Sequence, residues 1–281
     1  MSRVLAVGIA TLDIVNRVAS YPEEDAEIRA LSQHCARGGN ATNTLVALSQ
    51  LGHGTAWAGV LPVEPDSDLV LADLERHGVD VSVVLRPRTG KLPVSYITLS
   101  ADTGSRTIIH YRDLPEYGFG EFDRLNLEHF DWIHFEGRNV AQLKRMLEKT
   151  RQQGIPCSLE VEKTRPGIES LFSLPDVLLF SRAWALAQGM NSPERFLAEI
   201  LDGGRQGFLA WGAGGGWCRS AGGEIFHAAA PEVEVVDSIG AGDVFNAGVI
   251  DGMLRALPLP QVLERAVQLA SAKCAREGLV I

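Results

Sequence analysis

The chain has 281 residues, 46% of them hydrophobic, enough to bury a large core in one α/β domain. Its formal net charge of −9 opposes nonspecific contact with nucleic acid or an anionic membrane, while leaving a locally held small anion open. Cys35, Cys157, Cys218 and Cys274 are widely spaced, with no C-x-x-C pair and no histidine pattern for zinc, which points to a reducing compartment and a cytoplasmic protein.

The first apolar run, residues 4–9, is too short for a secretion signal or a membrane span and reads as a buried strand. Residues 14–18 and 27–35 then alternate polar and apolar side chains, as half-exposed strands do. A Gly38-Gly39 turn starts a helix at Asn40, and a strand at 55–60 precedes a helix at 66–77. A second alternating pair, 94–100 and 105–111, is joined through Ala101-Asp102-Thr103-Gly104. Beyond it come a strand at 132–135 with a helix at 140–153, strands at 156–161 and 177–180, and a helix at 183–189. Residues 233–236 read as a strand feeding a helix over 243–257. Continuously apolar strands alternating with helices predict an α/β fold with a mostly parallel sheet covered on both faces. The alternating segments, about 14–35 and 94–111, predict a small antiparallel sheet inserted into a single 1–281 domain, as a lid over a ligand site or a dimer surface.

The run Ser238-Ile239-Gly240-Ala241-Gly242-Asp243-Val244-Phe245 carries the most chemistry. The N–H groups of Gly240, Ala241 and Gly242 at a helix start suit a phosphate. A carboxylate beside a phosphate is repulsive unless it takes part in the chemistry, and Asp243 is placed to accept a proton from a hydroxyl during phosphoryl transfer. The alternative is an acid that only complements the helix dipole. No G-x-x-x-x-G-K-[ST] is present, and Phe245 occupies the last glycine position of a dinucleotide fingerprint. Gly212-Ala213-Gly214-Gly215-Gly216 fails that fingerprint at Trp217, and reads as a ligand-approaching loop or a plain turn. Asn40 and Asn43, three apart, share one side of a first helical turn, where their amides suit sugar hydroxyls or simply cap the helix.

Taken together, Gly38-Gly39-Asn40-Ala41 and Asp237-Ser238-Ile239-Gly240-Ala241-Gly242-Asp243-Val244-Phe245 resemble the motifs of the ribokinase or phosphofructokinase-B family of carbohydrate kinases. Gly39-Asn40-Ala41-Thr42-Asn43, Ser105-Arg106-Thr107-Ile108-Ile109, Glu136-Gly137-Arg138-Asn139 and Leu159-Glu160-Val161-Glu162-Lys163 are similar to its ketohexokinase branch. The resemblance implies a ribokinase-like three-layer fold and ATP-dependent phosphorylation of a primary hydroxyl, with fructose to fructose 1-phosphate as the model reaction. It assigns Asp243 as base, Gly240, Ala241 and Gly242 as anion hole, and Arg106 as a lid residue near the transferred phosphate. Asp13, Gly39, Asn40, Asn43 and Glu136 become sugar-site residues. Trp211, Gly212, Gly214, Gly215 and Cys274 become candidates for the nucleotide surroundings. Magnesium accompanies ATP in this picture, and potassium dependence stays open. Ser181-Arg182-Ala183-Trp184 lacks the family's Asn-x-x-Glu, so Glu160 and Glu162 are substitutes for metal binding, or else a solvated charged edge. A homodimer through the lids is implied. A catalytically weak sugar or nucleotide sensor is the alternative from another class.

Overall fold

Short apolar runs bounded by turns become strands here, and most are followed by segments whose apolar residues recur at helical spacing. In the computed structural model, which describes residues 1–201 and 204–281, the chain begins β1 (Arg3–Val7), β2 (Thr11–Val18), β3 (Ser32–Gly38), α1 (Asn40–Gln50), β4 (Gly54–Ala58), α2 (Pro65–Arg76) and β5 (Val79–Asp80). It continues β6 (Lys91–Ser100), β7 (Arg106–Asp113), α3 (Phe119–Phe122), β8 (Trp132–Glu136), α4 (Val140–Gln152), β9 (Cys157–Val161), β10 (Val177–Ser181), α5 (Arg182–Ala187) and α6 (Pro193–Ile200). The last elements are β11 (Gln206–Ala210), β12 (Gly216–Arg219), β13 (Ile225–Ala228), α7 (Ala241–Leu254) and α8 (Leu259–Cys274).

The large sheet has nine strands in the order β13-β12-β11-β10-β9-β8-β1-β4-β5. It is parallel from β11 to β5, with β12 and β13 added antiparallel at one edge. Alternation along β1 divides the core between its faces. Val4 and Ala6 pack with Leu45 of α1, Leu74 of α2, Val249 of α7 and Leu263 of α8. Leu5 and Val7 face Met146 of α4, Trp184 of α5 and Phe196 of α6. The result is the three-layer α/β arrangement that the pattern predicts.

One expected strand is absent. Residues 233–236 belong to neither sheet; Val235 and Val236 are exposed, and the Val236 N–H donates to the Cys274 carbonyl at 2.8 Å. Valine-rich composition favours a strand only where an edge is available to pair with, and this backbone is fastened to the end of α8 instead.

The small sheet has the order β3-β2-β6-β7. Its outer pairs, β2/β3 and β6/β7, are antiparallel, and they join through a parallel β2/β6 contact. Leu12, Val15, Val18, Val94 and Ile97 are buried, whereas Ile108, Ile109 and Tyr111 of β7 are exposed. The chain leaves this sheet at Gly38-Gly39 and enters α1 at once. A Cβ at Gly39, where φ is +106°, would stand 2.3 Å from the Ile9 carbonyl. Only glycine lets the start of α1 lie against the β1–β2 connection.

Helices α7 and α8 and the connection after α1 are pinned by one buried carboxylate. Asp251 on α7 accepts from His53 and Arg255, each at 2.8 Å, and from Arg265 of α8. These partners hold its carboxyl down at about 2: burial alone would raise it, but the His53, Arg255 and Arg265 hydrogen bonds outweigh that. Replacing Asp251 by Ala should cost about 2–3 kcal/mol, below the ~3–5 kcal/mol of a fully buried pair, because Arg255 is half exposed and water takes over part of its charge. Urea unfolding measures this, and a variant with an unchanged midpoint would refute the role.

Candidate active site

The Gly240–Asp243 turn is shaped from both sides. The Asp237 carboxylate accepts from the Ile239 N–H at 2.9 Å and from the Lys273 ammonium at 2.8 Å, and Lys273 is fully buried. Gly240 then takes a left-handed conformation, φ 80°, as the residue before α7. No side chain caps the first turn of α7, although the Ala241 N–H donates to the Ser238 carbonyl at 3.3 Å. A Cβ placed on Gly242 would meet nothing within 4 Å, so this residue borders open space.

Asp243 follows in the first turn of α7, nearly buried. Its Oδ2 accepts from Asn43 Nδ2 at 2.7 Å, across 200 positions of sequence. Asn43 Oδ1 in turn accepts from Arg37 Nη1 at 2.7 Å, and Arg37 Nε donates to Asp73 at 2.7 Å. The Asn43 amide is therefore engaged at both ends. Burial pushes the Asp243 carboxyl up to about 8; the Asn43 amide and Arg37 pull against this, while Glu162 and Glu136 push with it.

Asn40, at the start of α1, donates Nδ2 to Glu160 Oε1 at 3.0 Å, and Asn246 of α7 donates to the same oxygen at 3.1 Å. Glu160 is buried on β9, and its Oε2 has no partner among the described residues. Desolvation raises its carboxyl well above the usual range, with Asp243, Glu136 and Glu162 adding to the effect. Asp13 on β2 accepts from Thr11 Oγ1 at 2.8 Å and lies against Gly38, where a Cβ would stand 2.2 Å from its Oδ2. Glu136, at the end of β8, accepts from the Ile9 N–H at 2.9 Å and from Arg138 at 3.0 Å. Arg138 also reaches Glu116 at 2.8 Å, and Glu116 pairs with Arg112 of β7.

The candidate residues are thus not all gathered. Asp13, Gly39, Asn40, Asn43, Glu136, Glu160 and the Gly240–Asp243 turn converge where β1, β2, β8 and β9 meet the starts of α1 and α7. Arg106 is the first residue of β7, exposed and in register with Leu99, whereas His110 is the residue in register with Ser95 and hence with Asp13. Four residues of strand, about 13 Å, separate Arg106 from that row. Glu162 lies past the end of β9 and pairs with Lys163 at 3.4 Å. Among the described residues no three of His, Cys, Asp or Glu form a metal-holding group.

Trp211 closes β11, with the Arg182 guanidinium 5.4 Å from its ring centre and Trp217 edge-on at 6.4 Å. Gly212 and Gly214 form one tight turn, and Gly215 is pressed to the Ala228 carbonyl, 2.0 Å from where a Cβ would be. Cys274 ends α8, where its carbonyl receives the Val236 and Asp237 N–H groups. Sequence reasoning passed over Arg37, Asn246 and Glu116. Of these, Asn246 had a signal, since it lies three residues after Asp243 on the same helix.

The raised Asp243 carboxyl sets a pH dependence. A base must be unprotonated, so kcat/KM should climb with pH and level off above about 8. Asn43→Leu removes a hydrogen bond that favours the ionised form, so the climb should shift to higher pH and kcat should fall. A pH–rate profile identical to that of the unaltered protein would exclude this role for Asn43.

The chain is similar to known proteins along its whole length. A model described as pfkB family carbohydrate kinase matches residues 1–281. Ketohexokinase of Mus musculus is 36% identical over 98% of this chain and 97% of its own length. An ATP-dependent ribose-1-phosphate kinase of Halopiger xanaduensis is 27% identical over 99% and 94%. The structure of Arabidopsis thaliana ribokinase complexed with ribose and ATP overlays at a TM-score of 0.82 and 18% identity, covering 99% of this chain and 94% of that one, a likeness of fold. A family match over residues 1–281, together with a 36% identical relative covering 98% of the chain, shows that the protein belongs to the pfkB family of carbohydrate kinases.

Proposed function

We propose that this carbohydrate kinase transfers the γ-phosphoryl group of ATP to a primary hydroxyl of a ketohexose, with fructose to fructose 1-phosphate as the reaction. The observation that carries the proposal is the Asn43–Asp243 hydrogen bond, which joins the two glycine motifs into one site. Asp243 accepts the proton of the attacking hydroxyl, while the N–H groups of Gly240, Ala241 and Gly242 receive the charge of the phosphoryl group. Asp13 and Asn40 hold the sugar, each offering an oxygen acceptor to hydroxyl donors. Gly39 keeps α1 close enough for that contact, and Glu136 holds Arg138 at the sugar's edge. Asn43 contributes through Asp243, whose carboxylate it positions. Fructose is favoured over ribose or a nucleoside by the greater identity to the mouse ketohexokinase.

ATP lies along Trp211, Gly212, Gly214, Gly215 and the Cys274 end of α8. Magnesium arrives as part of the MgATP substrate, held mainly by phosphate oxygens and water. Arg106 comes to the phosphate when the lid closes. Exposed Ile108, Ile109 and Tyr111 on β7 favour a homodimer through the lids, and the four free cysteines suit the cytoplasm.

The test is ADP release with fructose, ribose, a nucleoside and no acceptor, with the phosphorylated carbon assigned by NMR and mass measured by light scattering. Turnover restricted to ribose or a nucleoside would replace the substrate assignment. A folded protein that binds sugar without releasing ADP would favour the sensor reading.

A further inference from the structure

Glu160 has two features that a solvated edge would not explain. It is buried, and one of its oxygens accepts from two amides on different helices, Asn40 Nδ2 at 3.0 Å and Asn246 Nδ2 at 3.1 Å. No cation pairs with it among the described residues: Arg37 is engaged with Asp73, Arg138 with Glu136 and Glu116, and Lys163 with Glu162. Its contacts are therefore those of a neutral acceptor set at a fixed reach from the sheet.

The two ends of an asparagine amide are nearly equal in size, so only its hydrogen bonds decide which end faces a ligand. An acceptor at Glu160 Oε1 draws in the Nδ2 end of Asn40 and leaves Oδ1 for the substrate. The same oxygen holds Asn246, one helical turn beyond Asp243. Strand β9 thus supports the sugar side and the base side of the site at once. We infer that Glu160 is a positioning residue for sugar recognition: the length of its side chain clamps the starts of α1 and α7 and orients the Asn40 amide as an acceptor for a sugar hydroxyl.

This rests on the kinase reading above, and the test separates the two. Glu160→Gln keeps the length and the accepting oxygen without a charge, whereas Glu160→Asp keeps the carboxyl but falls one methylene short. With fructose and ATP as the probes, the clamp predicts a fructose KM within about threefold of the unaltered protein for Glu160→Gln. For Glu160→Asp it predicts a KM raised about tenfold or more, with the ATP KM unchanged in both. A charge or metal-binding role predicts the opposite order, with Glu160→Gln the more damaged, and that result would overturn the clamp. Equal, undisturbed fructose KM values in both variants would overturn it too. Melting curves check folding; if the aspartate variant does not fold, near-normal kinetics of Glu160→Gln support the clamp and their loss refutes it. Absence of fructose turnover in the unaltered protein would instead sink the substrate reading on which the clamp rests.

Discussion

Asp243→Asn is expected to lower kcat by about 10²–10⁴-fold, the range that general-base catalysis supplies, while leaving the fold and fructose binding in place. Asparagine has nearly the same shape and can still meet Asn43, but it cannot take up a proton. The stability of this variant gives an independent reading of the same carboxyl. Burial raises it in the folded protein to about 8 from an ordinary 3.8. Across that window the folded state keeps a proton that the unfolded state has released, so stability declines as pH rises and the decline is complete above about 8. The asparagine variant has no such proton and should lose less stability between the two limits. Steady-state ADP release and melting temperatures at acid and alkaline pH measure both effects. Near-normal turnover in a folded variant would remove Asp243 from the role of base.

Gly242→Val should abolish most phosphoryl transfer without unfolding the protein. The glycine lies in the first turn of α7, has no positive φ, and a Cβ there meets no protein atom within 4 Å. Valine is a slightly better helix former than glycine, so the melting temperature should hold. Its methyl groups, however, enter the space in front of the anion-hole N–H groups, and loss of such donors typically costs about 10²–10³-fold in rate. Gly240→Val serves as the contrast. Its φ of 80° is strained for valine, and a Cβ there stands 2.9 Å from Leu279, so stability and activity should fall together. Normal ATP turnover by a folded Gly242→Val protein would mean that phosphate does not sit at this turn.

How much of the site was legible depended on how local each signal is. The Gly240–Asp243 turn and its helix could be read because glycine conformation, N–H exposure and helix initiation are set within a few residues. The same holds for Gly39 and the Asn40 helix start. Arg37 gave no comparable signal: an arginine before a glycine pair looks solvated until α2 brings Asp73 to within 2.7 Å of it. Glu160 and Glu162 looked equivalent, two apart on one strand. The end of β9 separates them, leaving the first under α1 and α7 and the second paired with Lys163.

By itself the sequence determined the layered α/β fold, the inserted small sheet and the two glycine motifs, because strand and helix periodicity and turn chemistry act over short stretches of chain. Tertiary structure alone decided the rest. It denied residues 233–236 a partner strand, joined β2 to β6 in parallel, and left Arg106 about 13 Å along the small sheet from the row of Asp13. It also brought Asn43 to Asp243, and Asn40 and Asn246 to one oxygen of Glu160. Such contacts join positions 86 to 200 residues apart, where no local pattern constrains the pairing. Burial supplies what composition lacks, since a carboxyl becomes a base near neutral pH only when packing removes its water.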